Sequence, residues 1–485
     1  MDLLLHLVTE GGPPLYRQVV TQIRAAVVSG RLAPGTRLPS SRDLAAVHGI
    51  ARNTVVAAYQ QLADEGYLVG RDRSGHYVAA DLPDAALQAA QRPAGGAVGM
   101  PAIRLSRWAA ALSDLPAPVP KGTVPYDLRG GFDPTTFPLD EWRRHLAHQM
   151  QPESLPPLDY GGAEGDAPLR ESIARFAARS RGVVCEPGQV LITSGARQGV
   201  DLLIRTLLEP GDAVAVEEPG YPGVRQALEA FGARIVPVPV DAKGMQVERL
   251  EGEGDIRLVF VTPSNQMPLG VTLDLGRRLS LLDWARRTGA LVVEDDYDGE
   301  FRYEGRPLQS LQGLDSGRHV AHVGSFAKSV APALRLGYLI MPPPLVQPVA
   351  RARWVTDRQA PILPQVALQA FIASGGLERH LRRVRLLFRA RRDAFLGALR
   401  QHLPGARVGE VRAGMHVCVT LPGVTTPEAE QALVERAFQA GVGLAPARVH
   451  YLSEAPAGQF LCYFAHLPEE DLEEGVRRLA GTMAW

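Results

Sequence analysis

Residues 323–340, VGSFAKSVAPALRLGYLI, carry the features that decide the fold and chemistry of this chain. Lys328 follows one apolar run, and Arg335 precedes another. The chain has three lysines against 49 arginines, and arginine cannot form a Schiff base. With the hydroxyl of Ser325 three residues before Lys328 and the Arg335 guanidinium seven residues after it, the pattern predicts an imine with a phosphorylated aldehyde cofactor. Ser325 and Arg335 would be ligands of the cofactor phosphate. The alternative interpretation of Lys328 is a solvent-exposed loop lysine without a cofactor.

The composition excludes several classes of protein. The 485 residues suffice for about two to four domains, and 46% hydrophobic with 21% charged residues is usual for a soluble globular protein. The formal net charge is zero, so any DNA-binding surface must be local. Three cysteines far apart, without a CxxC pair, argue against a disulfide framework, and we expect no metal. The N-terminus has no basic leader and no apolar run approaches membrane length, which predicts a cytoplasmic protein.

Residues 1–80 predict a small domain of three helices and a hairpin. Ser40 and Asp43 form a capping-box pattern at the start of the second helix, and Gly49 supplies a turn before the third helix begins at Arg52. The expected inward-facing residues of the three helices are Leu15, Val19, Ile23 and Val27, then Leu44, Ala45 and Val47, then Val55, Tyr59 and Leu62.

A helix, a turn and a second helix with polar residues at its start form the geometry that fits a DNA major groove. The candidate DNA-contacting residues are Arg52, Asn53 and Thr54 on the second of these helices, Arg42 at the start of the helix before it, and Arg71, Arg73 and Gly75 at the hairpin tip. A three-helix accessory domain is the alternative. The segment LPSSRDLAAVHGIARNTVVAAYQQLADEGYLVGRDRSGHYV resembles the winged helix-turn-helix of GntR-family regulators over its whole length.

Residues 81–124 are rich in alanine, proline and glycine and have no sustained apolar period, except around residues 103–112. Such a composition is typical of a semi-flexible tether. We therefore predict a DNA-binding domain at 1–80, a linker at 81–124 and a larger domain at 125–485, whose small C-terminal α+β part starts at about residue 360.

Residues 125–485 alternate short β-branched runs with helical stretches, which predicts an α/β fold with a largely parallel sheet covered by helices. In QVLITSGARQGVDLLIRTLL, the backbone amides of Gly195, Ala196 and Arg197 at the start of a helix would form an anion site for phosphate. AVAVEEPGYPG is a strand that runs into a turn presenting Tyr221, for which a core position is the alternative.

Two further strands end in polar turns. RLVFVTPSNQMPLG places Asn265 and Gln266 after one strand, and ALVVEDDYDGEFRY places a cluster of acids after the next. Ligands of open α/β sheets bind at the carboxyl ends of strands, where a carboxylate can hold the proton of a pyridinium ring. An acidic solvated loop is the alternative.

Taken in order, these segments resemble the aminotransferase-like class of fold-type I pyridoxal-phosphate proteins. The resemblance implies pyridoxal 5′-phosphate bound to Lys328, with Tyr221 stacked on its ring. It assigns the ring nitrogen to Asp295, with Glu294 and Asp296 as competitors.

The same resemblance assigns the 3′-oxygen of the ring to Tyr297. It also implies that a polar side chain of the proline-bounded turn, Asn265 or Gln266, contacts the ring hydroxyl.

A GntR-type winged helix followed by an aminotransferase-like domain resembles the MocR subfamily of bacterial regulators over nearly the whole chain outside the linker. The resemblance implies a homodimer whose large domains pair head to tail on double-stranded operator DNA. Its small-molecule effector would be pyridoxal phosphate or an amine or amino-acid adduct of it. The regulated genes would serve vitamin B6 or amino-acid metabolism.

One departure from the class concerns the substrate carboxylate, which aminotransferases usually hold with an arginine in a phrase like LRLGFA. Here the phrase is FLCYFAHL, and Leu461 stands in the place of the arginine. Leucine gives a carboxylate no charge-assisted partner, and Arg225 or Arg358 would have to substitute. Two functions therefore compete: a regulator with little or no transaminase activity, and an active aminotransferase with a fused DNA-binding domain.

Overall fold

The computed structural model describes residues 3–9, 11–71, 74–80, 103–113 and 123–483. The chain divides into two compact units, Met1–Arg104 and Leu105–Trp485. Within the described ranges, no helix is both long and apolar enough to cross a membrane.

The described residues of the first unit form three helices and a hairpin. Its elements are α1 (Leu15–Val28), α2 (Ser41–His48), α3 (Arg52–Asp64), β1 (Leu68–Arg71) and β2 (Gly75–Val78). The Ser40 side chain accepts a hydrogen bond from the amide of Asp43 and so caps α2, and Gly49, at a φ of 63°, ends it. The residues of the predicted apolar stripes that are buried are Val19, Ile23, Val27, Leu44, Ala45, Val55, Tyr59 and Leu62.

The predicted inward position of Val47 is wrong, because this side chain is 56% exposed. The buried stripe of α2 is centred between Leu44 and Ala45, and at 3.6 residues per turn Val47 lies roughly 110° away from it. His48 lies on the stripe instead, and its Nε2 is 2.8 Å from the carbonyl oxygen of Leu3.

The second unit is an α/β domain with a smaller α+β part. Its main elements in chain order are α4 (Arg107–Ser113), β3 (Tyr126–Asp127), α5 (Leu139–Gln149), α6 (Ala167–Arg181), β4 (Val190–Thr193), α7 (Ala196–Leu207), β5 (Ala213–Glu218), α8 (Pro222–Phe231), β6 (Arg234–Asp241), β7 (Gly244–Met245), β8 (Ile256–Val261), α9 (Leu275–Thr288), β9 (Leu291–Asp296), α10 (Leu311–Asp315), β10 (Val320–Ser325), β11 (Gly337–Ile340), α11 (Pro343–Thr356), α12 (Ile362–Ala373), α13 (Gly376–His402), β12 (Arg407–Val408), β13 (His416–Thr420), α14 (Pro427–Gln439), β14 (Val442–Gly443), β15 (Gln459–Tyr463) and α15 (Glu469–Thr482).

The central sheet has eight strands in the order β4-β11-β10-β9-β8-β5-β6-β7. Strands β10, β9, β8, β5 and β6 run parallel, while β11 is antiparallel to both of its neighbours and β7 is antiparallel to β6. The apolar strands are buried because helices cover the sheet. The carboxyl ends of the parallel strands therefore meet at one edge, where the predicted site residues lie.

The smaller part is built on the antiparallel sheet β12-β13-β15. Alternate residues of β13 and β15 contribute to the hydrophobic core, among them Val417, Val419, Phe460 and Cys462. The residues between them face the opposite side. Within the predicted linker, the described residues 103–113 contain α4, which lies against α8. The linker bounds themselves stay a prediction.

Candidate cofactor site and DNA-binding surface

The strand ends that carry the predicted motifs lie side by side. Gly337 at the start of β11 pairs with Thr193 of β4 on one side and with Ser325 of β10 on the other. On the next strand, Asp296 of β9 pairs with Gly324 of β10. The anion turn, the lysine segment and the acid cluster thus meet at one edge of the sheet.

Lys328 is half-buried in the turn between β10 and β11. Its Nζ lies 5.7 Å from the centre of the Tyr463 ring, which strand β15 of the smaller part contributes. The amide of Ala327 donates a hydrogen bond of 3.2 Å to Ser325 Oγ, which stabilises the turn that carries the lysine. Lys328 therefore lies between the sheet edge and the smaller part.

The predicted anion turn is shaped by Gly195, the residue that caps α7 with a φ of 91°. A Cβ at this position would lie 3.0 Å from Nη2 of Arg335, and that nitrogen donates a 2.8 Å hydrogen bond to the carbonyl oxygen of Ser194. The amides of Ala196 and Arg197 belong to the first turn of α7, whose N–H groups have no partner within the helix. Backbone donors and a guanidinium therefore converge, as binding of a phosphate requires.

The Arg197 side chain has a separate role. Its Nε donates a 2.9 Å hydrogen bond to the hydroxyl of Tyr221, and its guanidinium carbon lies 5.7 Å from the centre of that ring. Tyr221 is half-buried at the residue preceding α8. Arg197 thus holds the predicted stacking residue in place.

The structure separates the three neighbouring acids of β9. Glu294 accepts hydrogen bonds from the amides of Leu311 and Gln312, at 2.8 and 3.1 Å, and lies 3.1 Å from the His322 ring. Asp296 is paired with a buried arginine.

Asp295 is also buried, but its Oδ1 has no hydrogen-bond partner among the described residues. Burial, with the nearby charge of Asp296, raises the pKa of Asp295 to about 7. A buried carboxyl group without a partner is costly, so this position suits a cationic donor from a ligand.

The residues of the polar turn have different partners. Nδ2 of Asn265 donates to the Tyr297 hydroxyl at 3.1 Å and to Asp298 Oδ2 at 2.7 Å, and the Tyr297 hydroxyl donates to the carbonyl oxygen of Asn265 at 2.9 Å. Gln266 instead donates to the carbonyl oxygens of Pro219 and Met267, at 2.7 and 2.8 Å. Asn265 is therefore the member of the pair that contacts Tyr297, while Gln266 stabilises the loop.

Arg181 supports the site and was not predicted from the sequence. It is 3% exposed, and its Nε and Nη2 donate to the two carboxylate oxygens of Asp296, at 2.5 and 2.9 Å. Nη2 also donates to Ser264, in the polar turn. No local pattern indicates this pair, because the two residues are 115 positions apart.

The smaller part contributes a face without charged side chains, formed by alternate residues of β13 and β15. Leu461 and Cys418 lie opposite each other in the register, and both are buried. His416 lies opposite Tyr463, with their ring centres 5.3 Å apart, and stacks on Tyr297 at 6.3 Å. We call Leu461, Cys418, His416 and Tyr463 the small-domain face.

Arg225 and Arg358 could supply the positive charge that Leu461 lacks, but both make other contacts. Arg225 donates hydrogen bonds to the carbonyl oxygens of Tyr451 and Val449, at 2.9 and 3.2 Å. The guanidinium of Arg358 lies over two aromatic rings, at 4.3 Å from the centre of Tyr160 and 4.8 Å from that of Trp354. The contacts found for these two arginines do not involve Leu461.

In the first unit, the predicted DNA-contacting residues lie at the starts of α2 and α3 and in the hairpin. Arg42, Arg52 and Asn53 are exposed, and Thr54 is half-buried. Nε of Arg52 lies 3.4 Å from Oγ of Ser41, so the first turns of α2 and α3 adjoin.

In the hairpin, Arg71 is exposed and its guanidinium carbon lies 4.9 Å from the centre of the Tyr77 ring. Gly75 is exposed at a φ of 102°. Arg73 lies outside the described residues. Arg37, which sequence reasoning missed, pairs with Tyr77 through an isolated bridge and so adjoins the hairpin.

Comparison with known proteins agrees with this two-part layout. Residues 15–78 match the family "Bacterial regulatory proteins, gntR family", and residues 132–479 match "Aminotransferase class I and II". The probable rhizopine catabolism regulatory protein MocR of Rhizobium meliloti is 35% identical over 480 residues, covering 98% of this chain and 95% of that protein. The chain belongs to the MocR-type subfamily of GntR regulators.

Two further similarities refine this membership. The pyridoxine biosynthesis transcriptional regulator PdxR of Corynebacterium glutamicum is 34% identical over 403 residues, covering 82% of each chain. The kynurenine aminotransferase of Pyrococcus horikoshii superposes with a TM-score of 0.69 and 32% identity, over 79% of this chain and 95% of that one. The MocR-type chain is thus a DNA-binding winged helix joined to a fold-type I large domain.

Pyridoxal phosphate is the cofactor of this class of large domain, and the residues of this MocR-type chain fit it. The partnerless oxygen of buried Asp295 suits a protonated ring nitrogen. Gly195 leaves room beside Arg335 that a side chain would fill. Within the described part of the chain, no group of three or more histidine, cysteine or acidic side chains could hold a metal ion.

Proposed function

We propose that this MocR-type regulator binds pyridoxal 5′-phosphate at Lys328 and that ligand occupancy of this site sets its affinity for operator DNA. The observation that carries the proposal is the buried Oδ1 of Asp295, which has no hydrogen-bond partner among the described residues. It lies at the sheet edge where the lysine and phosphate segments meet. When bound, the cofactor would supply an electrophilic carbon that amines attack and a ring that withdraws electrons.

Each residue of the site has a role in this proposal. Lys328 would hold the cofactor covalently, and Arg335 and Ser325 would bind its phosphate together with the first-turn amides of α7. Asp295 would keep the ring nitrogen protonated.

The aromatic and amide residues would fix the ring. Tyr221, held by Arg197, would cover one face of it. Tyr297 would contact the ring oxygen, and Asn265 would orient the Tyr297 hydroxyl through their hydrogen bonds.

The small-domain face supports an effector without a carboxylate, or the cofactor itself, as the regulatory ligand. Leu461 is 3% exposed and offers no charge, so a carboxylate placed against it would lose water without gaining a cation. The name of one relative, which refers to pyridoxine biosynthesis, supports target genes in vitamin B6 metabolism.

A homodimer on paired half-sites is part of the proposal, with the large domains arranged head to tail. Residues 1–80 have a net charge of only +2, so one winged helix gains little from bulk electrostatics. Two linked winged helices would raise the affinity through effective concentration. Binding to chromosomal DNA would place the protein in the cytoplasm.

Transamination is the second candidate function. The similarity to kynurenine aminotransferase, together with the retained Lys328 and Asp295, favours it. Incubation of the cofactor-loaded protein with a panel of amino acids and 2-oxoglutarate, with glutamate formation as the readout, distinguishes the two. Steady turnover would favour the enzyme, and its absence would favour the regulator.

The cofactor part of the proposal is tested by visible absorption after incubation with pyridoxal phosphate and desalting. We expect wild type to retain a visible band and Lys328→Ala to lose it. Lys243→Ala, an exposed lysine of the same unit, is the matched control and should behave as wild type. A colourless wild type would overturn the proposal.

The DNA part is tested by fluorescence anisotropy with the chain's own upstream DNA. Arg52→Ala and Arg42→Ala should each weaken binding by roughly 5- to 100-fold, since a base contact is worth about 1 to 3 kcal/mol and phosphate contacts contribute to affinity. The exposed Arg400→Ala serves as the control in the other unit. Unchanged affinity in both variants would show that these residues do not contact DNA. Loss of the cofactor band in either variant would contradict the expectation that the two domains bind their ligands independently.

A further inference from the structure

His416 is a buried imidazole that the proposed cofactor chemistry does not use. It is the first residue of β13 and is 1% exposed. Neither Nδ1 nor Nε2 has a hydrogen-bond partner among the described residues. Buried polar atoms are usually satisfied, so two such atoms on one side chain indicate a ligand or water that completes them.

The surroundings of His416 place it at the cofactor site. Its ring stacks on Tyr297 with an interplanar angle of 20°, and it lies next to Tyr463, whose ring centre is 5.7 Å from Lys328 Nζ. Two residues earlier, a Cβ at Gly414 would lie 3.0 Å or less from Asn265 and Asp298. The start of β13 is therefore pressed against the residues that would surround the cofactor ring.

The imidazole is neutral at physiological pH. Burial, then the nearby charges of His450 and Lys328, lowers the pKa of His416 to about 3. A neutral imidazole offers one N–H donor and one acceptor nitrogen. It therefore matches an uncharged group that both donates and accepts, such as a hydroxyl, and gives no cation to a carboxylate.

We infer that His416 recognises the regulatory ligand, through a hydrogen bond to an uncharged hydroxyl on the amine that reaches the Lys328 site. The inference rests on the proposed function and names the ligand class: a hydroxylated amine without a carboxylate on that side. Leu461 and Cys418, further along the same face, complete a wall without charge. His416 is thus a specificity residue for the ligand and takes no part in holding the cofactor.

The test uses cofactor-loaded full-length protein and matched amines that differ at one end. The probes are 3-amino-1-propanol, propylamine and β-alanine, which carry a hydroxyl, a methyl and a carboxylate, and the readout is the dissociation constant from the change in the visible band. We expect wild type to bind the hydroxyl amine roughly five- to tenfold more tightly than propylamine, as one hydrogen bond allows. β-Alanine should bind more weakly than the hydroxyl amine.

His416→Phe should reduce the ratio of the two amine constants to about one, because phenylalanine cannot form the hydrogen bond. His416→Gln keeps a hydrogen-bond donor and an acceptor and should retain part of the preference for the hydroxyl amine. This variant replaces His416→Phe in the test if the phenylalanine variant does not fold. Arg407→Ala, at an exposed residue of the neighbouring strand β12, is the control and should keep the wild-type ratio.

The outcomes separate this inference from the proposed function. A wild-type ratio near one, an unchanged ratio in both His416 variants, or a preference for β-alanine overturns the role of His416 while leaving the cofactor site intact. A wild type without a visible band overturns the proposed function, and the inference with it.

Discussion

The two sides of the cofactor site differ in how far they keep the character of an aminotransferase. On the sheet side, Asp295, whose Oδ1 has no hydrogen-bond partner in the described part of the chain, together with Arg335 and the Gly195 turn provides charge and hydrogen-bond donors. On the small-domain face, Leu461 and Cys418 are apolar, and His416, which stacks on Tyr297, is a neutral imidazole. This difference supports the proposal that the site binds the cofactor but does not recognise a ligand carboxylate at Leu461.

Loss of the buried Arg181–Asp296 ion pair should destabilise the sheet side of the site more than any other change considered. Arg181→Leu leaves the Asp296 carboxylate buried and unpaired, which should lower the free energy of unfolding by about 3 to 5 kcal/mol. Urea denaturation measures it. Arg205→Leu removes a half-exposed arginine that pairs with Asp201 at 2.7 Å, and should cost less than about 1 kcal/mol. Equal losses in the two variants would contradict a supporting role for the buried pair.

The next effect concerns Asp295, the charged centre of the sheet side. Asp295→Asn removes the charge that holds a protonated ring nitrogen, so the dissociation constant for pyridoxal phosphate should rise roughly 10- to 100-fold. Equilibrium titration of the visible band measures it, and Asp140→Asn, an exposed acid, is the control. Unchanged affinity would show that another group meets the ring nitrogen.

The same substitution has a pH signature in cofactor-free protein. The pKa of Asp295 is about 7 in the folded chain against 3.8 as its ordinary value, so the native state binds the extra proton between these limits. Its contribution to stability is therefore present at low pH and is lost as the pH rises through 7. Relative to wild type, Asp295→Asn should gain at least about 1 kcal/mol of unfolding free energy between pH 5 and 8. A difference that stays constant with pH would contradict the raised pKa.

A smaller effect is expected at the anion turn. Gly195→Ala puts a side chain at a positive φ and within 3.0 Å of the Arg335 guanidinium. The affinity for pyridoxal phosphate should fall roughly tenfold, and inorganic phosphate should compete less well in the same titration. Gly188→Ala is the matched control, because a Cβ there meets nothing within 4 Å and its φ is not positive. Equal affinities for both variants would remove this turn from the phosphate site.

The last prediction concerns Leu461 on the small-domain face, where the expected change is small. Leu461→Arg adds a cation to the small-domain face and should improve binding of β-alanine by roughly fivefold relative to propylamine. Leu461→Met keeps the face uncharged and is the control. If arginine brings no gain for the carboxylate, Leu461 does not face the ligand, and the departure from the family pattern has no bearing on ligand choice.

The sequence could place the cofactor segments because each follows a strand with an unmistakable apolar run. Lys328, Arg335 and Asp295 come to one edge through sheet topology, and parallel strands make that edge predictable. The helices of the first unit were likewise readable from caps and stripes. Val47 was misplaced because a short helix gives too few apolar positions to fix the centre of its stripe.

Partners distant in sequence could not be predicted. Glu294 binds His322 and the first amides of α10, and Asp296 binds Arg181. These contacts, which the sequence does not reveal, leave Asp295 as the acid that is available to a ligand. His416 belongs to no sequence motif. Its position beside Tyr463 results from the pairing of β13 with β15, which local periodicity does not show.

Ligand occupancy at Lys328 is proposed to set operator affinity. The coupling is measured as the dissociation constant for upstream DNA by fluorescence anisotropy, with and without pyridoxal phosphate, for wild type, Lys328→Ala and Lys243→Ala. Because coupling between two sites is typically worth about 1 to 3 kcal/mol, we predict a change of at least about fivefold in wild type and Lys243→Ala and none in Lys328→Ala. The same constant with and without the cofactor in wild type, or the same change in Lys328→Ala, would contradict the claim.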